Sequence, residues 1–218
     1  MEETNVKNVI YSLGEEIANA TTHGPMAALA LLALPYASIR AYVKGGVIDA
    51  IGVSLFVISV FLMLLASTLY HVMASGTRHK KIFKILDHIF IYVAIAGTYT
   101  PIALSIIGGW QGILITVVQW GMVLFGILYK SISKHSIPKV SVTIYLVMGW
   151  TIIFFMPIFL AKAPTPLLVL ITLGGILYSA GVYFYAKKGV RFYHMVWHFF
   201  VNLGALSHFI GIVFFLRK

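Results

Sequence analysis

Residues 47–74 read VIDAIGVSLFVISVFLMLLASTLYHVMA. A helix needs about twenty apolar residues to cross a bilayer, and between Asp49 and His71 this stretch carries no charge. It is too long for a barrel strand and lacks the two-residue alternation such a strand needs. The stretch therefore reads as a membrane-spanning helix. Six more runs of the same kind can be drawn, at about 25–43, 86–106, 112–129, 141–160, 167–186 and 194–216. Between them lie Lys44-Gly45-Gly46, Arg78 to Lys84, Gly108-Gly109, Lys130 to Lys139, Lys162 to Pro166, and Lys187 to Arg191, the Gly, Pro and charge that end helices. The expectation is an all-α membrane protein, a bundle of seven transmembrane helices.

Composition agrees. Of 218 residues, 60% are apolar and 10% charged, whereas a soluble domain runs to about 25% charged. The mean hydropathy is +0.95. There is no cysteine, which excludes disulfides, thiol chemistry and Cys-ligated metals. The chain opens Met1-Glu2-Glu3, with no basic segment before an apolar one, so no cleavable signal is expected. The formal net charge of +10 would raise nucleic-acid binding in a soluble protein. Here the bases fall in short clusters between apolar runs, which fits loops facing anionic headgroups, and nucleic acid drops out.

Orientation follows from the sixteen Lys and Arg. With the N-terminus inside, eleven fall on the cytoplasmic side (Lys7, Arg78, Lys80, Lys81, Lys84, Lys130, Lys134, Lys139, Lys187, Lys188 and Arg191) and five outside (Arg40, Lys44, Lys162, Arg217 and Lys218). That bias predicts a cytoplasmic N-terminus and an external C-terminus in a multi-pass protein of the plasma membrane. Ahead of the first span, Val6, Val9, Ile10, Leu13 and Ile17 recur at helical spacing, with Lys7, Glu15, Glu16 and Asn19 off the stripe. This predicts a short amphipathic helix in the inner interface. The domain division is then an interfacial segment at 1–24 and a seven-helix domain at 25–218.

An ionisable side chain near the bilayer core is costly and needs a partner or a purpose, which makes the eight histidines informative. His79 and His135 lie in basic loops and read as solvated. His23, His71, His88, His194 and His198 fall at predicted cytoplasmic helix ends, while His208 lies about 15 Å deeper along the last helix. His194-Met-Val-Trp-His198 is the sharpest local signal. An i,i+4 pair puts two imidazoles on one face, the spacing by which helical histidines bind zinc. Ser67-Thr-Leu-Tyr-His71 repeats the spacing at matching depth, and Asp87 opens the third span at that level. Three imidazoles are a common ligand set for catalytic zinc, with a carboxylate nearby to orient ligands or accept a proton. Interfacial histidines also bond headgroups or cap helices, and Asp87 suits a helix N-terminus on dipole grounds alone. Glu16, Asn19 and His23 share a face by spacing, although acids and Asn favour helix starts anyway. His88 lies about 100° around the helix from Asp87 and is expected to point elsewhere. In Gly97-Thr-Tyr-Thr-Pro101 the proline is expected to kink the third span. Phe192, Tyr193, Trp197, Phe199 and Phe200 read as an interfacial aromatic belt.

Taken in order, the motifs E-x-x-N-x-x-x-H, S-x-x-x-H, an Asp opening the next span, G-T-Y-T-P and a last-helix H-x-x-x-H resemble the haemolysin III family. That family is the bacterial branch of the progestin and adipoQ receptor group and is related to alkaline ceramidases. The resemblance spans essentially the whole chain. It implies zinc held by His71, His194 and His198, with Asp87 and Ser67 as catalytic groups beside it and Glu16, Asn19, His23 and His208 near the site. Receptor members carry a long soluble N-terminal region that has no counterpart here, so membrane lipids rather than a soluble hormone are the expected partners. The expected function is zinc-dependent hydrolysis of lipid amides or esters at the inner leaflet, in membrane lipid homeostasis. The alternatives are a non-enzymatic membrane sensor with structural zinc and, last because no polar stripe is evident, a lytic pore.

Overall fold

The computed structural model describes residues 11–132, 138–187 and 189–217. Helix α1, Leu13–Val72, opens on a capping box. The Ser12 hydroxyl accepts from the Glu15 amide, and the Glu15 carboxylate accepts the Ser12 N–H at 3.0 Å, so two amides that begin the helix are satisfied reciprocally. The helix breaks at Gly46, where φ is 78° and ψ −161°, a backbone that glycine adopts without a Cβ clash. Its two arms fold back on each other. Ser38 and Ser54 share a hydroxyl hydrogen bond of 2.8 Å across them, and Gly24 lies against Thr68.

Helix α2, Arg78–Pro101, is capped by Thr77, whose hydroxyl accepts from the Lys80 amide at 3.2 Å. Beyond Pro101 the chain widens into a π-helical segment, Ile102–Ile107, closed by Gly108 N–H donating to Ala103 O at 2.9 Å. The Thr98 and Thr100 hydroxyls beside the proline bond Ala94 O and Ala96 O. Next come α3 (Gly109–Ile132), α4 (Pro138–Gly149), a short 3₁₀ segment (Thr151–Phe155), α5 (Met156–Lys162), α6 (Thr165–Ala186) and α7 (Tyr193–Phe215). The irregular backbone between α4 and α5 is covered from neighbouring helices. The Tyr99 hydroxyl donates to Gly149 O at 2.7 Å and accepts from Ile152 N–H at 2.9 Å, and Gln119 donates to Met148 O at 3.0 Å.

The described helices include six stretches long and apolar enough to cross a membrane, counting α1 as one. Leu32, Val43 and Phe154 are each at least 75% exposed on the outside, which suits a surface solvated by lipid rather than water. This is a multi-pass membrane protein. The far end of α1's second arm is tied to the end of α7, where Arg217 grips buried Asp49 through two hydrogen bonds of 2.6 and 2.8 Å.

One expectation changes here. Residues 13–22 are not a separate interfacial helix: they are the first turns of α1, which runs unbroken past residue 24. Leu13 and Ile17 of the apolar stripe face outward, 78% and 55% exposed, while Glu16, Asn19 and His23 point into the bundle. In lipid the apolar face turns out and the polar face seeks internal partners, the reverse of a helix on a water-soluble core. Val6, Lys7, Val9 and Ile10 lie outside the described residues. The aromatic run of α7 packs against α6. Trp197 abuts Gly181, Phe200 stacks on Phe184 at 5.3 Å and Tyr193 meets Phe184 at 5.4 Å, while Phe199 stays exposed.

Small residues let α1 and α2 approach closely. A Cβ on Gly52 would lie 2.9 Å from Pro101 Cα, and one on Gly97 would collide with Ser59. Gly97→Val should therefore destabilise the bundle by about 1–3 kcal/mol through overpacking. Gly121→Ala, with nothing within 4 Å of the added Cβ, should be neutral or slightly stabilising. Thermal melts of the purified protein in detergent check both.

Candidate metal centre

Three rigid helical segments converge at the end of the bundle where α1 begins: the first and last turns of α1 and the first turns of α7. The second arm of α1 brings His71, and α7 brings His194 and His198 by their i,i+4 spacing. One ring nitrogen from each falls in a single group whose members all lie within 4.8 Å of one another. The Nε2 atoms of His194 and His198 are 3.1 Å apart, and the His71 ring centroid lies 5.1 Å from that of His194 and 5.2 Å from that of His198. His71 and His198 are buried, His194 partly so.

The partners of the other ring nitrogens decide which lone pairs are free. His71 Nδ1–H donates to Glu16 Oε2 at 2.7 Å. His198 Nδ1 lies 3.2 Å from the Asn19 carbonyl oxygen and 3.0 Å from Thr22 Oγ1. A carbonyl only accepts, so His198 carries its proton on Nδ1 and presents the Nε2 lone pair. His71 Nε2 is buried with no partner among the described residues. An unpaired buried acceptor costs about 1–3 kcal/mol, and a divalent cation at this convergence would satisfy all three nitrogens together. Zinc–nitrogen bonds of about 2.0–2.1 Å in a tetrahedral set put ligand nitrogens about 3.3 Å apart, near the 3.1 Å of the α7 pair. Histidine ligands typically donate their second ring N–H to a carboxylate or carbonyl, as His71 and His198 do. The donor set fits zinc.

Glu16, Asn19 and His23 all reach this cluster. Asn19 also places Nδ2 3.5 Å from His71 Nδ1, and the His23 ring stacks on His198 at 3.7 Å between centroids, with neither of its nitrogens partnered among the described residues. Ser67 is buried one turn from His71, its hydroxyl without a partner among the described residues. Asp87 is half-buried and outside the converging group. It lies within electrostatic reach of Tyr70, Tyr185 and Tyr11, and Tyr11 and Tyr185 in turn sit 5.2 and 6.1 Å from the His194 ring.

Two histidines stand apart. His88 bonds Lys84 O through Nδ1 and approaches the Tyr185 hydroxyl at 3.4 Å through Nε2, and it is not a member of the three-histidine group. His208 packs on α6, with Nε2 donating to Ile171 O at 3.1 Å and the ring against Tyr178. It is not brought together with the others. His79 is exposed, and His135 lies outside the described residues. Sequence reasoning missed Thr22, although its three-residue spacing from Asn19 could have exposed it. Tyr11 and Tyr185 carried no local signal, because their contacts come from helix packing.

The comparisons with known proteins cover the same stretch. The family model described as "Haemolysin-III related" matches residues 11–209. "Hemolysin-3 homolog" of Bacillus subtilis (strain 168) is 38% identical over 212 residues, 96% of this chain and 98% of that protein. "Hemolysin-3" of Bacillus cereus is 36% identical, over 93% of this chain and 92% of the relative. More distantly, the human "Monocyte to macrophage differentiation factor" is 27% identical over 164 residues, 72% of this chain and 66% of its own length. With the match running from the start of the described chain into α7 and taking in every residue of the histidine cluster, the chain belongs to the haemolysin III family of integral membrane proteins.

Proposed function

We propose that this protein is a zinc-dependent hydrolase of membrane-lipid amides or esters, working at the cytoplasmic face of a bacterial plasma membrane. The observation that carries the reading is the convergence of three histidine nitrogens, two of them backed by hydrogen bonds from the far side of the ring. Zinc held by His71, His194 and His198 would supply a Lewis acid able to polarise a carbonyl and acidify water at neutral pH. Glu16 and the Asn19 carbonyl orient two of the rings. Ser67 Oγ, buried with no partner among the described residues, would hydrogen-bond a substrate oxygen one helical turn from His71. Asp87, half-buried among tyrosines, would accept the proton. A headgroup-level scissile bond meets such a site while the lipid tails stay in the bilayer. A lytic activity, which the names of the Bacillus relatives suggest, finds less support, since the buried interior is mainly apolar.

The proposal includes seven crossings, each arm of α1 counting once, with the N-terminus inside. Arg40, Lys44 and Arg217 gather around Asp49, and Lys162 lines a hollow with Arg217. Four of the five bases assigned to the outside thus share the end remote from the histidines, as one topology requires. The absence of native cysteine makes the test direct. On intact cells an impermeant thiol reagent should label Trp110→Cys and spare His79→Cys; the opposite pattern would place the histidines outside.

His71→Ala, His194→Ala and His198→Ala should each lower the zinc content of purified protein sharply, because two remaining ligands make a poor site. His79→Ala should keep it. Metal analysis showing equal zinc in all four variants would remove the three-histidine assignment.

Asp87→Asn separates catalysis from a structural metal. Asn keeps the shape and hydrogen bonding but takes no proton at neutral pH, so zinc content should hold. Zinc-dependent release of fatty acid from ceramides or phospholipids should meanwhile fall about 10²–10⁴-fold. Full activity in this variant would show the role given to Asp87 to be wrong. No release by the wild type from any lipid of the panel would favour a sensor with structural zinc.

A further inference from the structure

Lys80 belongs to the basic run Arg78 to Lys84, which by charge reads as a solvated loop. Its side chain instead turns inward and is only 12% exposed. Nζ donates to Glu16 Oε1 at 2.6 Å, to Met73 O at 3.1 Å and to Tyr70 O at 3.2 Å. All three ammonium protons are used. Two of those acceptors are carbonyls at the end of α1, where a cation also suits the helix dipole. The third is the carboxylate whose other oxygen takes His71 Nδ1–H at 2.7 Å. Lys80 therefore holds, at one point, the turn that carries His71 and the group that orients its ring.

A carboxylate with one oxygen engaged can rotate about its bonds and drift from its partner. With Oε1 held by Lys80 and Oε2 by His71, the plane of the Glu16 carboxylate has one setting, and so has the imidazole. We propose that Lys80 is a positioning residue for the metal centre, acting through Glu16 to hold His71 Nε2 toward the convergence of the three histidines. This rests on the zinc reading above. Removal of an outer-shell partner typically lowers metal affinity 10–100-fold, and losing Lys80 should act through the same carboxylate.

The test is zinc affinity of the purified protein by competition with a chelating dye. Lys80→Met should bind zinc about 10–100-fold more weakly. Lys80→Arg, which can still bridge Glu16, should stay within a few-fold of wild type, and Lys81→Met should be unchanged. The deciding measurement is the double variant. If Lys80 acts through Glu16, adding Lys80→Met to Glu16→Gln should cost little beyond Glu16→Gln alone, whereas independent roles would multiply. A lysine that merely ties the loop would lower the melting temperature of the metal-free protein, and its effect on zinc would multiply with that of Glu16→Gln. Wild-type affinity in Lys80→Met, or fully multiplying losses, would overturn the proposal while leaving the zinc reading intact. Absence of zinc binding by wild type would instead overturn the zinc reading and this inference with it. Should Lys80→Met fail to fold, Lys80→Gln measured in the same way decides.

Discussion

Hydrocarbon offers no hydrogen bonds, so each polar group inside the bundle must be satisfied by the chain itself or by something the chain holds. Most of the architecture answers to that requirement. Thr68, Thr98, Thr100, Thr116 and Ser179 each return a hydroxyl to a carbonyl four residues back in their own helix. Where the backbone departs from helix between Gly149 and Ile152, Tyr99 supplies both a donor and an acceptor. The buried carboxylate of Asp49 meets a guanidinium. Against this background the nitrogens of His23, His71 Nε2 and the Ser67 hydroxyl, which have no partner among the described residues, stand out, because they gather on facing turns of the two arms of α1 beside the histidines of α7.

The proposed metal centre is built on long helices rather than loops, and the same contacts that orient its histidines dock the helices. His198 meets Asn19 O, and Asn202, one turn on, donates to Thr22 O at 2.9 Å. Both bonds join α7 to the first arm of α1. Glu16 joins that arm to the second through His71. A site assembled this way resists the small displacements that would spoil a ligand set, because moving one ring means moving a packed helix.

The two ends of the bundle use charge differently. At the Asp49 end one ion pair, backed by Arg40 donating to Val213 O at 3.0 Å, fastens the turn of α1 to the end of α7. At the histidine end acid, imidazole and ammonium form a chain in which each group sets the direction of the next. The first arrangement needs only closure of the fold. The second controls where a lone pair points, which is the property a metal ligand requires.

Apolar run length and the spacing of His71, His194 and His198 were legible from residues alone, because span length and helical pitch are local quantities. The membrane class, the breaks at Gly46 and Gly108 and the three-histidine grouping followed from them. The inward turn of Glu16, Asn19 and His23 was half legible: their spacing showed a shared face, but nothing local showed which helices that face would meet. Lys80 and Thr22 were not legible as parts of the site, since their partners Glu16 and His198 lie 64 and 176 residues away in sequence. His208 was placed near the site by resemblance, yet the pitch of α7 carries it a further ten residues from His198 and onto α6. Composition and periodicity settle what each helix is. Which polar atoms meet is settled only when the helices pack, because a hydrogen bond is specified by tenths of an ångström that no one-dimensional pattern encodes.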